Sequence, residues 1–151
     1  MADLKATGEL SVSETEKKQI DGQFAGVYCN DEETKAIIEQ VYNSYGYLLD
    51  PHTAVAFGAY MKELHAHPED GARHTVIAAT AHPFKFPPVI CQALDIREGD
   101  TPYDSLENIS AVTGVAFPKP LEALKDKELR FTKVIDKENM RHEILDFIDT
   151  F

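Results

Sequence analysis

Apolar residues along this chain follow three patterns, and each pattern predicts a different kind of element. Ile37, Ile38, Val41, Tyr42 and Tyr45 return every three or four positions, which is the period of one helix face. Asn30, with Glu33 three residues on, gives a start signal ahead of that stripe, and Gly46 gives a stop behind it. Ser13-Glu14-Thr15-Glu16 is a capping box that opens a short helix through Lys17, Lys18 and Ile20. Asp50 fits an N-cap and Pro51 the first position of a helix reaching about His65. Its small residues Ala54, Ala56, Gly58 and Ala59 permit close approach of a neighbour. Pro87 and Pro88 open another helix, with Val89, Ile90, Cys91 and Leu94 as its buried side. Leu121–Lys125 reads as helical, and Met140, Ile144, Leu145, Phe147, Ile148 and Phe151 mark a final amphipathic helix.

The second pattern is continuous. Thr75–Ala79 is a short apolar run of strand length that breaks at Thr80-Ala81-His82-Pro83-Phe84-Lys85-Phe86-Pro87. Such a run predicts a buried strand of a parallel sheet covered on both faces. Ligands in open α/β sheets sit beyond the carboxyl ends of strands, where Thr80, His82 and Lys85 lie. The third pattern is alternation: Arg130–Ile135 reads as a half-exposed strand. Tyr47–Leu49 is too short to pair with the central run. The expected fold class is therefore α/β, one parallel strand flanked by helices in an incomplete sheet, resembling the last αβα part of a doubly wound domain. Residues 1–10 read as a polar lead, 24–28 as extended or irregular, and 67–71 as a turn. Residues 97–118 are rich in turn formers and yield no element.

Composition narrows the classes. With 151 residues, 43% hydrophobic and 27% charged, the chain is long enough for one ordinary globular core. A net charge of -11 argues against a nucleic-acid surface, which needs a basic patch. An anionic ligand would have to be held by local donors against the overall field. Cys29 and Cys91 fit no metal spacing and read as free thiols of a reducing, cytoplasmic compartment. The polar, acidic first twenty residues are unlike a signal peptide, and no apolar run reaches spanning length.

Local chemistry alone leaves several readings open. Thr80 and His82 can simply satisfy nearby backbone while Lys85 is solvated. The N-terminus of the Pro51 helix can hold an anion or a polar ring substituent, or be merely well capped. His65, His67, His74 and His82, with Asp50 and His52, match no zinc spacing, so no metal is expected. No nucleophile elbow is present for a hydrolase. A non-catalytic interaction module docking through the last helix also remains.

Two segments together point further. Gly46-Tyr47-Leu48-Leu49-Asp50-Pro51-His52-Thr53-Ala54-Val55-Ala56 resembles a signature of the long bacterial and fungal threonine synthases. Ala79-Thr80-Ala81-His82-Pro83-Phe84-Lys85-Phe86-Pro87 is similar to a second, with Phe84 in place of the usual alanine. Their order and separation match the C-terminal part of those enzymes. The resemblance covers residues 1–95 well, as the end of the cofactor-binding large domain, and 96–151 more loosely, as a C-terminal extension.

The resemblance implies a tryptophan-synthase-like fold and pyridoxal 5'-phosphate, in a carbon–oxygen lyase that converts O-phospho-L-homoserine and water to L-threonine and phosphate. It implies that the Thr80 hydroxyl meets the pyridine nitrogen. Asp50, His52 and Thr53 would form the adjoining helix start, and His82 and Lys85 would shape the turn below. The family's Schiff-base lysine and phosphate-binding loop belong to an upstream segment, and no lysine here lies in a matching motif. The eight glycines are scattered singly, without a phosphate cradle. The expected chain therefore carries no catalytic lysine, is inactive alone, and partners the N-terminal remainder of the enzyme. The alternatives are a threonine or serine dehydratase of the same cofactor fold, which the DPHTAVA wording disfavours, and a truncated non-catalytic domain.

Overall fold

The computed structural model describes residues 2–128, 130 and 132–149. The chain divides into two compact units, Met1–Phe117 and Pro118–Phe151.

In the first unit the start and stop signals act where the sequence places them. Helix α1 spans Ala2–Thr7, within the stretch read as a polar lead. Helix α2, Glu14–Asp21, opens on the Ser13/Glu16 capping box. Helix α3, Asp31–Tyr45, opens on the Asn30/Glu33 box and stops at Gly46, which sits at φ +65°. A glycine is favoured there because a Cβ is strained in the left-handed region. Helix α4, Pro51–Ala66, is capped by Asp50 and leads into a 3-10 turn at Pro68–Ala72. A second 3-10 turn at Pro83–Lys85 precedes helix α5, Pro87–Ala93.

Helix α6, Pro102–Thr113, lies inside the stretch that yielded no element from sequence. Its signals are a capping box of Thr101 with Asp104, Pro102 in the first turn, and Gly114 at φ +71° as the stop. Turn-forming residues at both ends of a helix make it read as a loop when they are counted rather than placed.

Helix α3 packs on α4 and α5, and α5 packs on α6. The core is built from Ile38 and Val41 of α3, Ala54 of α4, Ile90 and Cys91 of α5, and Leu106 and Ile109 of α6. Ile38, Ile90 and Ile109 are fully buried, each contributing about 1.5–3 kcal/mol relative to exposure. Helices α3 and α4 approach closely at Gly58. A Cβ there would come within 2.8 Å of Cys29 Sγ and nearer still to Ile37 Cδ1.

The second unit holds helix α7, Lys119–Glu122, a 3-10 turn at Lys137–Asn139, and the amphipathic helix α8, Met140–Ile148. Phe151, expected on the last helix, lies outside the described residues.

Two expectations of sheet structure are corrected. Among the described residues there is no strand: Thr75–Ala79 belongs to the irregular stretch 74–80, and Val76 is 93% exposed. Residues 132–135 are likewise irregular, with Val134 94% exposed; Phe131 lies outside the described residues. The cause is the same in both places. A strand exists through ladder partners for its N–H and C=O groups, and the described residues supply none.

Candidate functional site

The first motif makes a tight, self-satisfied helix start. Asp50 is buried, 3% exposed. Its Oδ1 accepts the backbone N–H groups of His52 at 3.0 Å and Thr53 at 3.3 Å, and its Oδ2 accepts the Thr53 hydroxyl. His52 Nδ1 lies 3.4 Å from Oδ1. Burial pushes the Asp50 carboxyl up. The Thr53 hydroxyl, the two backbone N–H groups and the charge on His52 outweigh it, and the carboxyl titrates below its ordinary value. The α4 N-terminus is thus occupied by its own carboxylate, the well-capped one of the two readings the sequence left open.

The second motif folds back on the first. His82 Nδ1 accepts the Phe84 N–H at 3.2 Å. In a neutral imidazole that bond leaves the proton on Nε2. The Phe84 ring is buried, edge-on to His82 at 5.2 Å and to Phe117 at 5.8 Å. His52 of the first motif meets Phe86 of the second at 5.0 Å.

Between the two motifs lies a cavity of about 240 Å³, lined by Tyr47, Asp50, Thr53, Ala79, Ala81, His82 and Val115 among others. The structure therefore brings together Asp50, Thr53 and His82. His52 meets Asp50 but lies outside the lining, as does the exposed Lys85. Thr80 is exposed and does not line the cavity, although both its neighbours do. Its hydroxyl makes no hydrogen bond with a described residue. Val115 and Phe117 went unnoticed in the sequence because their stretch carried no legible element, while Phe86 stood in the motif without an assigned partner.

Of the groups a pyridine ring could meet, the second motif supplies one hydroxyl, at Thr80, and it is exposed and outside the cavity lining. An unengaged hydroxyl at Thr80 suits a ring nitrogen. The cavity beside it is lined by an ionised carboxylate and no lysine or arginine, which suits no phosphate. Among the described residues no three His, Cys, Asp or Glu side chains cluster to hold a metal. No described helix is long and apolar enough to cross a membrane. A larger cavity of about 520 Å³, bordered by Asp95, Glu98, Asp100 and Asp104, includes no residue of either motif.

The fold is similar to that of a solved relative, the crystal structure of PLP bound threonine synthase from Brucella melitensis. The TM-score is 0.53 with 31% sequence identity, over 67% of this chain and 21% of that one. The family described as "Threonine synthase, C-terminal" matches residues 53–145. The chain belongs to the threonine synthase family and corresponds to its C-terminal part. It is 38% identical to mouse threonine synthase-like 1 over 111 residues, which is 73% of this chain and 14% of that protein. To the threonine synthase of Saccharomyces cerevisiae it is 28% identical over 148 residues, 94% of this chain and 27% of that one. It therefore spans only a small part of the relatives it matches.

Proposed function

We propose that this chain is the C-terminal portion of a threonine synthase, an enzyme that converts O-phospho-L-homoserine and water to L-threonine and phosphate. The observation that carries the reading is the meeting of the two family motifs. Asp50, Thr53 and His82 line one cavity, and Thr80, outside the lining, stands in sequence between the lining residues Ala79 and Ala81. Residues 1–95 complete the cofactor-binding large domain, and 96–151 extend it.

Pyridoxal phosphate, when bound, supplies the electron sink for the carbanion chemistry. Thr80 offers its hydroxyl to the ring nitrogen. As a neutral group it leaves that nitrogen unprotonated, which moderates the sink. Asp50 and Thr53 fix the start of α4 against the second motif. His52 holds Phe86, His82 presents its Nε2–H beside the cavity, and Lys85 ends the 3-10 turn that sets His82. The family's Schiff-base lysine belongs to an upstream segment, and we expect the chain by itself to release no phosphate from the substrate.

The test joins this chain to the preceding portion of a threonine synthase and measures threonine and phosphate formed from O-phospho-L-homoserine. Production of both is expected, and absence of threonine from a folded, cofactor-loaded protein overturns the reading. In that protein Thr80→Val lowers turnover by at least about tenfold, the equivalent of 1.36 kcal/mol. A change within about threefold removes the role of Thr80. Addition of pyridoxal phosphate to the chain alone is expected to give no saturable absorbance band.

A further inference from the structure

We propose that two copies of this chain associate through the apolar stripe of α8, packed antiparallel about a two-fold axis, with Arg141 of each copy set against Asp149 of the other. This interface is independent of the reaction proposed above.

The stripe is Met140, Ile144 and Ile148, one turn apart, with Leu145 beside them. Residues four apart share a helix face. Each of the four is 49–58% exposed. A groove of about 450 Å³ is lined by Lys137 and Arg141 as well as by Met140, Ile144 and Leu145.

The charges on α8 indicate what covers that stripe. A helix favours anions at its N-terminus and cations at its C-terminus. On α8 the uncommitted charges are reversed. Lys137 and Arg141 stand at the N-terminal end, and neither pairs with a described residue. Of the carboxylates there, Glu143 is taken by Lys133, which leaves Glu138. Asn139 makes no side-chain cap. The last turn carries no basic residue. Asp146 and Asp149 stand at that end, with His142 at 3.4 Å from Asp146 and no described ion-pair partner for Asp149. An antiparallel neighbour removes both misfits together, because it lays the cationic start of one helix on the anionic end of the other. A helix of the same sequence does so twice, as a closed two-fold pair requires. Arg141 and Asp149 flank the same side of the stripe, so the two contacts form together across the axis.

The distribution of charge permits the pairing. Residues 118–151 hold 7 Lys and Arg against 8 Asp and Glu, a net of -1, so nearly all of the chain's -11 lies in 1–117. Repulsion between copies is least for a contact made through this unit. One stripe on a helix of nine residues makes a small interface, in the weak class below about 1,200 Å².

The test is sedimentation equilibrium of the full chain across concentration, with helix content followed by circular dichroism. The chain is expected to be monomeric near about 10 µM and mostly dimeric near about 1 mM, as suits a weak interface. Ile144→Asp is expected to raise the dissociation constant at least about tenfold. Arg141→Asp and Asp149→Arg each turn two attractions into two repulsions and are expected to raise it at least about fivefold. Both reversals suit the helix dipole better than the native residues, so the loss cannot come from a weaker helix. Mixed in equal amounts, these two variants are expected to regain the wild-type constant as a heterodimer. A monomer throughout, or a dimer that Ile144→Asp leaves unchanged, overturns the proposal. So does a dimer that persists through both charge reversals, since they remove the antiparallel contacts. A dimer of the chain alone that is lost once the preceding portion of a threonine synthase is joined assigns the stripe to that portion, and the proposal fails.

Discussion

The imidazole of His52 and the ring of Phe86 lie 5.0 Å apart at an interplanar angle of 50°, joining the first turn of α4 to the segment that starts α5. A tilted aromatic pair of this kind is worth about 0.5–1.5 kcal/mol beyond burial. A double-mutant cycle of His52→Ala and Phe86→Ala in thermal unfolding is expected to give a coupling at the lower end of that range, since His52 is exposed. Strict additivity would mean the two motifs are held together by other contacts.

Asp50 carries more of the first motif than its neighbours. Asp50→Ala removes the α4 cap, about 0.5–2 kcal/mol, and leaves the buried Thr53 hydroxyl without its acceptor, about 1–3 kcal/mol. The combined loss is expected at about 2–4 kcal/mol by denaturant titration. Asp50→Asn keeps an acceptor for the helix and is expected to lose less. Equal losses would show that charge rather than capping stabilises this turn.

The same carboxylate gives a pH signature. It titrates below its ordinary 3.8 in the folded chain. Its ionised form therefore adds stability that is complete above 3.8 and is lost as pH falls from there through the lowered folded value. Stability measured against pH for the chain and for Asp50→Asn is expected to converge over that acid window. A gap that stays constant across it contradicts the assignment.

Gly46 and Gly26 make a matched pair. A Cβ at either meets nothing within 4 Å, but Gly46 sits at φ +65° and Gly26 has no positive φ. Gly46→Ala is expected to lower stability by about 1–2 kcal/mol, and Gly26→Ala to change it by no more than about 0.5 kcal/mol. Similar effects at the two sites would remove the left-handed stop as the reason for glycine after α3.

Phe84 stands where the resembling motif has alanine, and here it is 2% exposed. Phe84→Ala is expected to cost about 3–5 kcal/mol through the cavity left behind and to free the His82 ring, visible as a change in its NMR signals. A stable variant with an unmoved His82 would show that the backbone bond from residue 84 alone orients the imidazole.

The sequence by itself determined the features that depend on near neighbours in the chain. The capping boxes at Ser13 and Asn30, the Asp50-Pro51 start and the Gly46 stop are satisfied within one helical turn, so residue type and spacing suffice to fix them. The core residues of α3 and α5 were legible from their spacing along one helix face, whereas the two motifs were legible only through their resemblance to a known family. Helix α6 was hidden because Thr101, Pro102, Asp104 and Gly114 carry the same local chemistry in a turn as at a helix end.

Tertiary structure alone decided three things: that Asp50, Thr53 and His82 share a cavity, that Phe84 seals against Phe117, and that Thr75–Ala79 is not a strand. Each depends on groups far away in the chain. A helix closes its hydrogen bonds within itself, whereas a strand closes them only with a neighbour, so an apolar run can state a preference for sheet that the surrounding structure leaves unmet.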